Sequence, residues 1–570
     1  MWVLPFLVYY HAYPLTSFYN EWLAVLLGLC AACWLPAEVR SGEPVLPRIA
    51  LLPLALLVVL LLQVALGRVE YAGQTLLYAA YWLWAAVLMA LGHRLRERLG
   101  LGRLALMLSA FLLVGAELSA LAGLVQQYQW DVLLRQYVTV KTSSAVYGNL
   151  AQPNHYADYT GLGLVSLALL LVRGKLRVWQ AVLLAVPLLF VLTLSGSRTS
   201  WIFLLALTAM SLVYWKRDRA MLPFLQFSCG MLIGFAVMHG VVQLPWLAGT
   251  EEVTAWERLF NDAGSGGIRL ILWREALMVF AQYPVFGAGF GQFAWQHFQL
   301  GPILQNPQIA GLYNNAHNTL LQLAAEGGLA SLLPALALAA LWWRGSRRLP
   351  MRPERWWGYA VLLVLLTHSL LEYPLWYAYF LGIAAFMLGA LETRAWRIPA
   401  RNLSTVGSAF VLLAAIFVAG LFLRDYRALE QTYAASTTTS DRAKLQAAYA
   451  HFGEIGRNVL LTPYTDLFMN SMLGRDLHGW ETRQRWNEKV LHFVPLASSA
   501  YRQSLLWAQN GKAALAGQCM AQAIWAYPDD FPAVWNELEA LARKDPDRYA
   551  ALLKSAVQIN EERQRAVRIR

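Results

Sequence analysis

Asn314-Asn315-Ala316-His317-Asn318-Thr319-Leu320-Leu321-Gln322-Leu323-Ala324-Ala325-Glu326-Gly327-Gly328 leads from a long polar loop straight into a hydrophobic helix. Residues four apart share a helical face, so Asn318, Gln322 and Glu326 form a polar stripe on a segment otherwise rich in Leu and Ala, with the His317 imidazole at its mouth. A carboxylate about two turns below a membrane surface is costly in lipid, so the stripe must face protein or a wet cavity. The apolar run continues to about residue 343, long enough to cross a bilayer. A crossing with one polar face needs other crossings around it, which makes the fold class all-α and polytopic.

The rest of the chain agrees. Its 570 residues are 58% hydrophobic and only 14% charged. Further apolar runs of spanning length lie at about 48–66, 74–92, 104–125, 156–172, 178–194, 199–215, 221–243, 357–371, 375–391 and 405–423. Two weaker ones, 22–36 and 1–10, bring the expectation to twelve or thirteen transmembrane helices. Residues 1–10 are short for a crossing, as a helix cut by the start of the chain would be. They lack the basic n-region and small-residue cleavage site of a signal peptide.

Short loops rich in Lys and Arg mark the cytoplasmic side. With thirteen spans and the N-terminus inside, twenty basic residues fall in cytoplasmic loops: Arg40 and Arg48; Arg94, Arg96, Arg98 and Arg103; Arg173, Lys175 and Arg177; Lys216, Arg217 and Arg219; Arg344, Arg347, Arg348, Arg352 and Arg355; Arg394, Arg397 and Arg401. The opposite loops hold only Arg68, Arg135, Lys141, Arg198, Arg258, Arg269 and Arg274. This alternation divides the chain into an N-terminal transmembrane bundle (1–243), an external loop with amphipathic helices (244–318), C-terminal transmembrane helices (319–424) and an external helical tail (425–570). The net charge of +12 is largely this topological signal, and nucleic acid is not an expected partner. Cys30, Cys33, Cys229 and Cys519 offer no disulfide framework.

In the external loop, Trp246, Trp256, Trp273, Trp295, Phe290, Phe293 and Phe298 among glycines suit interfacial helices, with a lid as one use for them. The tail shows helical periodicity over 441–460, 498–509 and 512–525, and its last pair resembles a single tetratricopeptide-type unit. That tail reads either as a helical cap or as a docking surface for a protein.

Four further polar clusters fall on the external side. Gly148-Asn149-Leu150-Ala151-Gln152-Pro153-Asn154-His155-Tyr156-Ala157-Asp158 precedes a span; Ser195-Gly196-Ser197-Arg198-Thr199-Ser200-Trp201 is a very short turn. Arg269 to Gly291 ends in Gly287-Ala288-Gly289-Phe290-Gly291, and His368-Ser369-Leu370-Leu371-Glu372-Tyr373-Pro374 closes a span. Each has a plainer reading. Arg198 can snorkel to headgroups, His155 with Asp158 can cap a helix, and His368 with Glu372 can be a structural pair. The glycines lack the Lys-Ser/Thr of a nucleotide loop. Together, however, Arg, His, Asn, Gln and Glu suit a phosphate leaving group, because Arg offers a planar, permanently charged donor fork. No His/Asp triplet for a metal stands outside the membrane, so no metal and no cofactor are expected. ATP is absent from that compartment, so an activated, membrane-delivered donor has to supply the energy.

These residues resemble the O-antigen ligase and polymerase superfamily: His317-Asn318 after a long external loop, Ser197-Arg198-Thr199, and Arg269…Trp273…Pro284…Gly287-Ala288-Gly289. The Gly148–His155 and His368–Tyr377 runs, with His11…Pro14…Phe18…Glu21, are similar to bacterial protein O-oligosaccharyltransferases of the pilin-glycosylation type. The resemblance extends to Asp425-Tyr426 and Tyr433. It implies a GT-C-like membrane fold and a multi-pass protein of a Gram-negative inner membrane. The implied reaction transfers a preassembled glycan from undecaprenyl diphosphate to an acceptor hydroxyl in the periplasm, on a pilin-like protein or on lipid A core.

Carried over by position, His317 is the essential imidazole, and Arg198 and Arg269 are the diphosphate clamps. Gln152, Asn154, His155, Asp158, Asn318, Gln322, Glu326, His368, Glu372 and Tyr373 are the candidate substrate-binding set. O-antigen ligases often carry a second His two residues before the essential one. Asn315 stands there instead, which favours the protein-glycosylating branch. Lipid A core ligation, glycan polymerisation and a non-enzymatic lipid-linked glycan transporter are the competing readings. The transporter suits the chain least, because no internal repeat is visible.

Overall fold

The computed structural model describes residues 1–36, 45–130, 132–244, 247, 263–397, 405–472 and 479–568. Trp246, Trp256, Arg40, Arg258 and Arg401 lie outside them. The fold is all-α; the described strands form one short antiparallel pair, Val45–Pro47 with Ala395–Arg397.

Seven described helices are long and apolar enough to cross a membrane: Arg48–Ala65, Ala72–Tyr128, Pro153–Val172, Thr199–Arg217, Arg219–Val241, Thr319–Ser346 and Thr405–Thr437. Phe18–Ala32, Val178–Leu194 and Ala378–Leu391 are shorter and apolar, and Pro353–Ser369 falls in another of the expected runs. Ala72–Tyr128 carries two expected spans, divided where Gly100 leaves helical geometry (φ 75°, ψ 147°). Every run expected from 22–36 to 405–423 therefore coincides with a helix.

The opening segment does not. Residues 1–10 contain only the 3-10 turn Leu4–Phe6. Phe6 is buried and stacks on Tyr159 at 3.8 Å between ring centroids, the Trp2 carbonyl accepts from the Tyr159 hydroxyl at 2.8 Å, and the Pro5 carbonyl accepts from Asn20 Nδ2 at 2.8 Å. A non-helical apolar segment is tolerated in a membrane protein where protein groups satisfy its backbone. Dropping it as a crossing moves only the N-terminus, and the alternation of basic loops downstream is unchanged.

The chain forms two compact units. One comprises Met1–Ala55, Tyr81–Gly266 and Pro334–Leu423; the other Leu56–Ala80, Gly267–Leu333 and Arg424–Arg570. The first has a continuous core that includes Phe203, Phe224, Trp356 and Trp357. At its centre Pro153–Val172 is buried along nearly all its length. Its Thr160 and Ser166 hydroxyls donate to carbonyls four residues back, at 2.8 and 2.7 Å, so these polar side chains leave no unmet bond in the core.

In the second unit the tail folds as helices Arg442–Ile455, Thr462–Met472, Trp480–Phe493, Ala497–Gln509, Ala513–Ala526, Phe531–Lys544 and Pro546–Arg568. Their core of Tyr501, Met520, Ile524, Leu538 and Leu552 also takes in Phe298 from the loop helix Phe293–Leu304. Trp295 of that helix stacks on His492 at 4.4 Å, and the Gly311 amide donates to the Ala526 carbonyl at 2.7 Å. Tyr71 donates its hydroxyl to Asp466 at 3.0 Å under the Lys489 ammonium. The loop aromatics Phe290, Phe293 and Phe298 are thus protein core.

Candidate functional site

Thr319–Ser346 begins at a cap and breaks before it is half complete. Asn318 Oδ1 accepts from the Leu320 and Leu321 amides, both at 3.1 Å, which satisfies donors the first turn leaves open. Gln322 Oε1 reaches back to the Ala316 amide at 2.7 Å, and Asn315 Oδ1 accepts from the His317 amide at 2.8 Å. Between these anchors His317 takes a left-handed backbone (φ 53°), which is uncommon for a residue with a side chain and is held where surroundings over-determine it. Its imidazole is half-buried.

The helix breaks at Gly328 (φ 61°, ψ −163°). An unbroken helix would join the Leu329 amide to the Ala325 carbonyl and the Ala330 amide to the Glu326 carbonyl. Instead, the glycine-rich run inserts between them. Leu329 donates to Pro284 O, Ala330 to Val285 O, Ala288 to Ala325 O and Gly289 to Glu326 O, all at 2.9–3.0 Å. Both ends of each lost helical bond are recaptured, and insertion of a segment into the ladder is a recognised cause of a helix break. The close approach requires glycine: a Cβ on Gly287 would lie 2.2 Å from the Glu326 backbone, and one on Gly328 2.4 Å from Val285 O. The Gly287-x-Gly289-x-Gly291 spacing is therefore a wedge for a split helix.

The stripe inferred from the sequence faces protein, with Gln322 and Glu326 each 1% exposed. Glu326 Oε1 accepts from the Gly291 and Phe293 amides, both at 3.0 Å, so this carboxylate holds the wedge. Arg269 lies on Ala263–Gln282, whose buried Leu272 and Ala276 share a core with Ala316 and Ala325. That core brings the Arg269 helix and the His317 segment together in one unit.

The other unit gathers a second cluster. Gln152 caps Pro153–Val172, accepting from the His155 amide at 2.5 Å with Pro153 at the first helical position. Asn154 joins two elements, since its Nδ2 donates to Glu372 Oε1 at 3.1 Å and its Oδ1 accepts from Ser197 Oγ at 2.8 Å. The turn bearing Arg198 is thereby tied to Asn154 through the neighbouring Ser197. His155 Nδ1 lies 3.0 Å from the Tyr379 hydroxyl and its ring packs edge-on against Tyr377. Tyr377 stacks on Tyr373. His368 Nδ1 donates to Asp158 Oδ1. The Glu372 amide bonds the His368 carbonyl at 2.8 Å, while the His368 ring and the Glu372 carboxylate reach Asp158 and Asn154.

Sequence reasoning missed three features. Ser197 reads in the sequence only as a neighbour of Arg198, yet its hydroxyl ties that turn to Asn154. The buried Glu275–His297 pair (2.7 Å) joins positions with no helical periodicity between them. Gln63 did leave a signal, as the one amide within the Leu- and Val-rich helix Leu51–Ala65.

An all-α chain with several helices of membrane-spanning length and these polar clusters is similar to membrane-embedded glycan ligases. Residues 183–336, which hold Arg198, Arg269 and His317, match the family model described as O-Antigen ligase. Residues 146–171 match Protein glycosylation ligase, and 356–541 match Virulence factor membrane-bound polymerase, C-terminal. The chain is also similar to a general O-oligosaccharyltransferase of Acinetobacter baylyi, 27% identical over 427 residues that cover 73% of this chain and 72% of that protein. These matches bear out the resemblance read from the motifs. They support a glycosyltransferase activity of the O-oligosaccharyltransferase or O-antigen ligase type.

Proposed function

We propose that this protein transfers a preassembled oligosaccharide from undecaprenyl diphosphate to Ser or Thr hydroxyls of periplasmic proteins such as pilins, at the external face of the inner membrane. The observation that carries this reading is the commitment of the stripe below His317: Asn318, Gln322 and Glu326 all hold main chain. The chemistry of the half-helix therefore falls to the imidazole. A hydroxyl is a poor nucleophile at neutral pH, and imidazole has the basicity to take its proton as the anomeric carbon is attacked. Arg198 and Arg269 bind the diphosphate and stabilise its charge on departure, with no metal in the step. Direct displacement inverts the anomeric centre. Gln152, Asn154, His155, Asp158, His368, Glu372 and Tyr373 shape the substrate-binding surface of their own unit.

The match of 183–336 to O-Antigen ligase favours, as a second reading, the same chemistry with lipid A core or a growing glycan as acceptor. Asn315, in place of a second histidine, favours protein. Mass spectrometry of periplasmic and pilus proteins with and without the gene separates the two: loss of protein glycan with normal lipopolysaccharide supports the first reading, and the converse supports the second. Purified His317→Ala protein should lose transfer from a defined lipid-linked glycan; full retention would remove the base assignment.

A further inference from the structure

Gln63 is fully buried near the C-terminal end of Leu51–Ala65, and its amide is saturated by main chain alone. Nε2 donates to the Phe286 carbonyl at 2.6 Å and to the Glu326 carbonyl at 2.7 Å, while Oε1 accepts from the Phe290 amide at 3.0 Å. One side chain thus bridges the wedge and the half-helix, touching the wedge twice and the half-helix once. Arg68, just past the end of that helix, donates to the Gly287 carbonyl and lies over the Tyr283 ring. Gln74 reaches the Gly291 carbonyl at 3.3 Å. Deep in an apolar protein, each of these wedge carbonyls and amides would be costly to leave unpaired.

We infer that Gln63, supported by Arg68, is a positioning residue that holds the half-helix 319–327 in register with the wedge and so sets where His317 stands. The inference rests on the assignment of His317 as the base. The half-helix is pinned at its start by Asn318 and Gln322, and at its end by Gln63 and Glu326. It is short enough that a shift at Glu326 is carried to His317 as a rigid displacement. Gln63 itself is a structural amide two turns removed from the imidazole, so its effect reaches the reaction only through the position of that ring.

The test uses the full-length protein in lipid nanodiscs with a polyprenyl-diphosphate glycan and an acceptor protein. Gln63→Met keeps the volume and removes the amide. It is expected to lower kcat on the order of 10²-fold with KM for donor and acceptor unchanged, and to add no further loss in a His317→Ala background. Wild-type kcat, a loss carried in KM, or an additive loss in the double variant would overturn the inference. Hydrogen exchange separates this from the base reading: Gln63→Met should speed exchange of the 316–326 amides and leave 497–568 unchanged. Unaltered exchange sinks the clamp even where His317→Ala is inactive, and an active His317→Ala sinks the base reading even where exchange rises. Arg68→Met, at a half-buried position, is the second variant should Gln63→Met not fold, with the same split expected.

Discussion

His368 Nδ1 and Asp158 Oδ1 meet at 2.5 Å with both side chains fully buried, joining Pro353–Ser369 to Pro153–Val172. Removing one partner of such a pair leaves an uncompensated polar group, which typically costs about 3–5 kcal/mol, whereas replacing both with apolar residues can be nearly neutral. Asp158→Leu is expected to lower the thermal unfolding midpoint sharply, and Asp158→Leu/His368→Leu to recover part of the loss. A double variant no better than the single one would show that the pair is not coupled.

Arg198→Lys keeps the charge and loses the fork. Transfer should fall roughly tenfold to a hundredfold if the guanidinium clamps a departing diphosphate, while folding is unaffected. Initial rates with a lipid-linked glycan measure this, and an unchanged rate would demote Arg198 to a lipid-facing anchor.

Gly328→Ala places a Cβ at φ 61°, 2.4 Å from Val285 O. The backbone strain alone is worth about 1–3 kcal/mol, and the clash forces the wedge away from the half-helix. The folded fraction on size-exclusion chromatography should drop, while Gly230→Ala in the helix Leu222–Val241, with nothing within 4 Å of its Cβ, serves as a neutral control.

His492 stacks on Trp295, and burial pushes its pKa below the ordinary value despite the nearby Glu70 and Glu488 carboxylates. The unfolded chain then takes up this proton first as pH falls. The contribution to stability is therefore intact above the unfolded value of about 6.5 and declines as pH drops below it towards the lowered folded value. Unfolding midpoints from pH 8 to pH 5 should fall less steeply in His492→Phe than in the parent. Parallel curves would show that this histidine does not govern the acid sensitivity.

The membrane helices were legible because lipid demands a continuous apolar run about twenty residues long, and that demand is local. The polar stripe was legible for the same reason: a four-residue repeat of Asn318, Gln322 and Glu326 is a local pattern. Residues 1–10 misled because an apolar segment has the same composition whether it crosses lipid or, like Phe6 on Tyr159, packs against helices. Gln63 with Glu326 and Asp158 with His368 stand 263 and 210 residues apart, and no periodicity reports a partner at that distance.

By itself, the sequence determined the all-α polytopic class, the position of the helical spans and the residue types from which chemistry is drawn, since each follows from short-range hydrophobicity and side-chain chemistry. Only the tertiary structure decided that the Gly287–Gly291 run splits the Thr319–Ser346 helix, that Glu326 holds amides of that run, and that loop aromatics share a core with the tail. The reason is that a backbone donor or acceptor freed in an apolar interior must find a partner, and that partner is chosen by proximity in space, which the order of residues along the chain does not display.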